Sequence, residues 1–74
     1  MQIIIKPYDA GVEFALEVQP TDNILSIKVK IEARENIVPD SQRLLFQGNH
    51  LVDDDILVAR GIQDGSTIHL IRTQ

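Results

Sequence analysis

Phe14-Ala15-Leu16-Glu17-Val18-Gln19-Pro20-Thr21-Asp22-Asn23-Ile24-Leu25-Ser26-Ile27-Lys28-Val29-Lys30-Ile31 carries two different apolar periods, one on each side of Pro20. Before the proline, Phe14, Leu16 and Val18 alternate with Glu13, Ala15, Glu17 and Gln19. Alternate residues of a strand share a face, so this half reads as a half-buried strand. After the proline, Ile24, Ile27 and Ile31 recur at i, i+3 and i+7, which is one stripe of a helix. Asn23 is the expected N-cap, with Thr21 and Asp22 as nearby alternatives. Asn36 suits the left-handed position that ends a helix. Ile37-Val38-Pro39 cannot continue it, because proline has no N–H and disfavours helix in the residue before it.

Upstream, Met1 to Lys6 reads as a strand, with Ile3, Ile4 and Ile5 consecutive and β-branched. The turn-forming cluster Pro7-Tyr8-Asp9-Ala10-Gly11 joins it to the Phe14 strand as a hairpin. Downstream, Gln42 to Phe46 is a third strand, followed by a turn at Gly48-Asn49 and a short fourth strand at His50-Leu51. Asp53-Asp54-Asp55 before Ile56-Leu57-Val58-Ala59 predicts a capped single helical turn. Gly61 and Gly65 bracket a further turn, and Thr67 to Ile71 is the last strand. Its alternation places Ile68 and Leu70 on one face and Thr67, His69 and Ile71 on the other. Counted without the short His50-Leu51 strand, the order ββαββ predicts an α+β fold, one helix covering one face of a mixed sheet.

That architecture makes Pro39-Asp40-Ser41-Gln42-Arg43-Leu44-Leu45-Phe46-Gln47-Gly48 conspicuous. Adjacent strand residues point to opposite faces, so Leu44 and Leu45 cannot both enter one core. An apolar side chain held on the open face of a rigid sheet suggests a contact surface rather than a catalytic cleft.

Composition narrows the function classes. The 74 residues are 43% hydrophobic and 24% charged, with a formal net charge of -4 and no cysteine. This length predicts one small domain with a small core. Without cysteine there are no disulfides or thiolate metal sites, which fits a reducing compartment, the cytoplasm and/or nucleus. No apolar run approaches the roughly 20 residues of a membrane-spanning helix, and no signal-peptide pattern opens the chain. The acidic balance argues against general nucleic-acid binding. His50 and His69 are too isolated to suggest a metal site. The three aspartates lack the alternating ligands, glycine and closing glutamate of a calcium loop. Ser41 and Ser66 have no histidine in triad order, and there is no glycine-rich phosphate loop. The expectation is therefore a protein that is not an enzyme and carries no cofactor.

Met1-Gln2-Ile3, Leu16-Glu17-Val18, Lys28, Lys30-Ile31, Ile37, Pro39-Asp40, Gln42-Arg43-Leu44, Phe46, Gly48, Leu51, Ile62-Gln63, Ser66-Thr67 and His69-Leu70 together resemble the ubiquitin family. The resemblance runs from Met1 to about Ile71, with one extra residue in the first turn. It implies a β-grasp fold, a mixed sheet of four to five strands wrapped on one helix. It also implies a protein-binding patch of Leu45, His69 and Ile71 edged by Tyr8, or by Ala10 if the inserted residue shifts the turn. Lys6, Arg43 and Arg72 are the expected basic rim. Lys28 would be partly buried and paired with Asp53 or Glu35; a surface lysine paired with Glu32 along the helix is the alternative.

The departures from the family pattern shape the functional expectation. The sequence runs out at Arg72-Thr73-Gln74 without the Gly-Gly tail used for conjugation. The lysines most used in ubiquitin chains fall on Asn49 and Asp64, and a third near Val12. The tail companions of Ile37 become Arg72 and Gln74. The chain therefore looks like a non-conjugated ubiquitin-like domain, residues 1–74 of a longer protein, similar to those of ubiquilin-type proteasome shuttle factors. Its Gly61-Ile62-Gln63-Asp64-Gly65 segment with Ile68-His69-Leu70 carries that second similarity. Expected partners are acidic ubiquitin-interacting helices, three-helix ubiquitin-associated domains or proteasome subunits, met by a monomer. The alternatives are a covalent modifier whose tail lies beyond Gln74, and a regulatory domain of a larger enzyme.

Overall fold

The computed structural model describes residues 1–9 and 11–73. Five strands and one helix form: β1 (Gln2–Pro7), β2 (Phe14–Glu17), α1 (Ile24–Glu35), β3 (Gln42–Phe46), β4 (Asn49–Leu51) and β5 (Thr67–Arg72). Two 3₁₀ turns, Pro39–Ser41 and Val58–Arg60, punctuate the connections. The sheet order is β2-β1-β5-β3-β4. Only β1 and β5 run parallel; the other neighbours are antiparallel. This is the β-grasp architecture.

The helix forms where the period changes. The Asn23 side chain accepts from the Ser26 N–H at 2.9 Å and from the Ser26 hydroxyl at 3.0 Å, so it is the cap among the three candidates. Asn36 ends the helix at φ 60°, its N–H donating to the Glu32 carbonyl. Ile24, Ile27 and Ile31 are fully buried against the sheet. From the sheet side they meet Ile3, Ile5, Leu44, Ile68 and Leu70 in one core cluster. Each such side chain removed from water contributes roughly 1.5–3 kcal/mol. The other sheet face carries no helix, which is why strand alternation has functional consequences here.

Several boundaries differ from the sequence reading. The β3–β4 turn is Gln47-Gly48, not Gly48-Asn49; Asn49 already pairs with Phe46. Gln47 and Gly48 have φ of 53° and 82°, both positive as a two-residue hairpin turn of mirror-image type requires. The strand twist selects that turn, and Gln47 accepts an unfavourable backbone to provide it.

The aspartate run does not cap a helical turn over Ile56–Ala59. The 3₁₀ turn starts only at Val58 and has no side-chain cap. Asp55 instead accepts from the Val52 N–H through its own carboxylate. The carbonyls of Asp53 and Asp55 take the N–H groups of Leu25 and Ile24, two of the donors that the first turn of α1 leaves free. Ile56 is held extended by its bridge to Asn23. The segment is thus spent on the start of α1 before it can coil.

Candidate functional site

Four of the strands deliver the site by register alone. Lys6 of β1 lies opposite His69 of β5, His69 opposite Leu45 of β3, and Leu45 opposite His50 of β4. Arg43 lies opposite Ile71. Each row places neighbouring side chains on one face about 5 Å apart. Their inward neighbours Leu44, Ile68 and Leu70 are buried, so this row stands on the open face. Leu44 is wholly inaccessible while Leu45 is half-buried, the division of labour that adjacent strand positions impose.

Tyr8 closes one edge. Its ring meets the His69 ring edge-to-face, centroids 5.2 Å apart at 67°, while 62% of the residue remains exposed. The Tyr8 N–H donates to the Leu70 carbonyl at 3.0 Å and fixes the residue just past β1. Ala10, the alternative edge residue, lies outside the described residues. The structure therefore brings Leu45, His69, Ile71 and Tyr8 together, with Lys6 and Arg43 exposed beside them.

Arg72 does not join this rim. It follows Ile71 by one residue in β5 and pairs with Gln42, whose side chain is turned inward and only 3% exposed. Alternation puts Arg72 on the helix side. There it lines a cleft of about 380 Å³ together with Glu35, Ile37, Leu70 and Pro7. Its expected companion Gln74 lies outside the described residues. One residue of shift along a strand exchanges faces, and Arg72 falls on the wrong parity for the patch.

The electrostatics of the open face contrast with the chain as a whole. Among the described strand residues, the only outward carboxylate is Glu17 on the β2 edge, and the Met1 amino group donates to it at 3.0 Å. The remaining outward charges are Lys6 and Arg43. A chain with a net charge of -4 thus keeps one apolar, basic-edged surface.

The other singled-out residues have structural work. Lys28 is 13% exposed, and its Nζ donates to Asp53 at 2.8 Å, selecting Asp53 over Glu35 and Glu32. Asp55 stands 3.9 Å from Arg60. Among the described residues, no group of three acidic, histidine or cysteine side chains is placed to hold a metal ion. The Ser66 hydroxyl accepts from the Gln63 N–H at 2.8 Å.

Sequence reasoning did not place His50 on the patch. The signal was present in the two-residue spacing between Phe46 and Asn49, but reading it needs the turn located correctly. Leu25 and Val29, to which sequence reasoning assigned no role, are further exposed apolar side chains. They lie exposed on the outer side of α1, over a shallow depression shared with Asp22, Ser26 and Lys30.

A β-grasp fold with an apolar patch on its open face defines a ubiquitin-like domain. The Ubiquitin family model matches residues 3–74. The chain is 39% identical over 61 residues to the ubiquitin-like protein NEDD8 of Dictyostelium discoideum, covering 82% of this chain and 79% of that one. It is also 35% identical over 71 residues to the ubiquitin-like domain-containing protein CIP73 of Lotus japonicus, and 39% identical over 72 residues to 2'-5'-oligoadenylate synthase-like protein 1 of Rattus norvegicus. Those two matches cover 96% and 97% of this chain but only 10% and 14% of the larger proteins. The chain belongs to the ubiquitin family.

Proposed function

We propose that this chain is a protein-docking module of the ubiquitin–proteasome pathway that works without conjugation to a target. The observation carrying this reading is the open sheet face, where Leu45, His69 and Ile71 form an apolar centre edged by Tyr8, Lys6 and Arg43. The relatives in which a ubiquitin-like stretch is a small part of a long protein support the same reading. The mechanism is docking, not chemistry. Leu45 and Ile71 supply contact area that loses its water, and Lys6 and Arg43 steer an acidic partner. Ubiquitin-interacting helices, three-helix ubiquitin-associated domains and proteasomal receptor subunits have the matching chemistry. The working compartment is the cytoplasm and/or nucleus, and the domain acts as a monomer.

A contact confined to these few side chains is small, and interfaces below about 1,200 Å² are usually weak and transient. Leu45→Ala should weaken binding of a ubiquitin-interacting helix by about 1–3 kcal/mol, as loss of a central anchor does. The fold should survive, because Leu45 is outside the buried core cluster. Chemical-shift titration is the measurement. Shifts centred away from Leu45, His69 and Ile71 would sink the proposal.

The second reading, a covalent modifier, is favoured by the NEDD8 match, which spans 79% of that protein. The residues encoded after Gln74 separate the two. A nearby Gly-Gly and ATP-dependent thioester formation with an activating enzyme would favour the modifier.

A further inference from the structure

We infer that the outer face of α1 is a second docking surface and that it takes a basic amphipathic helix. The inference goes beyond the sheet-face reading and does not depend on it. α1 turns Ile24, Ile27 and Ile31 into the core, and a helix of this kind ordinarily shows polar residues on its opposite side. Here that side carries Leu25 and Val29, one turn apart and 42% and 50% exposed. Helix propensity does not explain Val29, because a β-branched side chain is disfavoured in mid-helix. The two line one shallow depression of about 520 Å³ with Asp22, Asn23, Ser26 and Lys30. Ile56, also exposed, is bridged to Asn23 at its border.

The charges around this stripe identify the occupant. Asp22, Leu25, Val29 and Glu32 follow one another at intervals of three, four and three residues, which sets a carboxylate at each end of the apolar pair. From Asp22 to Glu32 is roughly 15 Å along a helix axis. Asp54 is exposed beside the first turn, next to Asp53, whose carbonyl accepts from the Leu25 N–H at 3.1 Å. Asp22 accepts from the Gln19 N–H, which leaves its charge in place. Among the described residues, Asp22, Glu32 and Asp54 have no cation within ion-pair distance, whereas Asp53 is held by Lys28 and Glu35 by Arg34. Lys30, at one side of the depression, is the opposing charge. The rest of the chain agrees in sign. Lys6 and Arg43 are two of the seven basic residues and Glu17 one of the eleven acidic ones, so five basic and ten acidic residues lie elsewhere.

A helix with two aliphatic residues one turn apart and a lysine or arginine beyond each of them meets all of these groups. A second copy of α1 does not, because a carboxylate at both ends of the stripe sets acid against acid in either direction of pairing. The helix lies on the sheet face away from Leu45, so the basic-edged and the acid-ended surfaces are on opposite sides of the molecule. One domain thereby joins an acidic partner to a basic one.

The test uses the whole chain and two synthetic helical peptides with the same leucine–alanine ridge. One carries lysines at the two ends of the ridge and the other glutamates. Binding is read residue by residue by chemical-shift titration. The lysine peptide should shift Leu25, Val29 and Glu32, and the glutamate peptide should not. Leu25→Ala with Val29→Ala, which keeps good helix formers at exposed positions, should weaken the lysine peptide about tenfold. Glu32→Gln with Asp54→Asn should weaken it about threefold to tenfold at low salt. Neither double variant should alter the shifts that the glutamate peptide produces around Leu45. No shifts with the lysine peptide, shifts scattered over the acidic loops with unchanged affinity in the double alanine variant, or equal binding of both peptides at Leu25 and Val29 would each overturn the inference. Shifts of Leu25 and Val29 on concentrating the chain alone would assign the face to a second copy and overturn it as well. The lysine peptide decides this inference and the glutamate peptide decides the sheet-face reading, so the two fail separately.

Discussion

Gln42 shows how much one side chain can hold. It sits inward in β3, buried, and its Nε2 donates to the carbonyls of Lys28 and Ile37 at 2.9 and 2.8 Å. It thereby ties the middle of α1 to the chain just after it. Its Oε1 is buried with no partner among the described residues. Replacing Gln42 with Met keeps most of the volume but leaves the buried Ile37 carbonyl without its donor and returns the part-buried Lys28 carbonyl to its helical hydrogen bond alone. Gln42→Met should cost about 1–3 kcal/mol of stability, read from the urea midpoint at unchanged m-value. No loss would mean that water replaces the amide at the Ile37 carbonyl. Leu44 and Leu45 illustrate the complementary point. Two identical neighbours serve opposite ends, one in the core and one on the surface, because the pleat leaves no alternative.

Among elements, the β3–β4 hairpin sets the site. Its two-residue turn fixes which residue of β4 lies opposite Leu45, and so places His50 on the patch. Gln47 at φ 53° is a poor residue for that turn, whereas Asn tolerates the left-handed region. Gln47→Asn should stabilise the domain by about 0.5–1 kcal/mol without moving the register, a change visible as a higher melting temperature with unaltered cross-strand contacts in NMR spectra. A helix-breaking or register-changing outcome would show that the turn is held from outside the hairpin. The segment after β4 is governed in the same way by another element. Asp53 and Asp55 give their carbonyls to the first turn of α1, and Asp53 also receives Lys28 from that helix. Local propensity called for a capped helical turn there, and the unsatisfied helix N–H groups outweighed it.

At the scale of the whole molecule, the charges are sorted between the two sides of the sheet. The patch side keeps Lys6 and Arg43, while Arg72 sits on the helix side over Ile37. Long-range attraction of an acidic partner therefore depends on the first two. Arg43→Gln should slow association with an acidic helix by severalfold at low salt and flatten its salt dependence. Arg72→Gln should leave both within error. Stopped-flow association rates across an ionic-strength series provide the comparison; equal losses for the two variants would mean that only the net charge of the molecule matters. The same sorting explains how a chain with formal charge -4 offers a basic-edged surface.

The sequence by itself determined the helix and its apolar stripe, the Asn36 cap, the short set of N-cap candidates headed by Asn23, and which faces of β3 and β5 are apolar. These rest on periodicity and on residues such as Asn23 and Asn36, whose chemistry acts over three or four neighbours. It also carried enough family likeness to single out Leu45, His69 and Ile71. Only the tertiary structure decided which residues meet across strands distant in the chain. It put His50 beside Leu45, Tyr8 against His69, Asp53 on Lys28, and Arg72 on the opposite face from the rim expected of it. The physical reason is that register has a period of two, so one residue of uncertainty at a turn or strand end reverses the face of everything that follows.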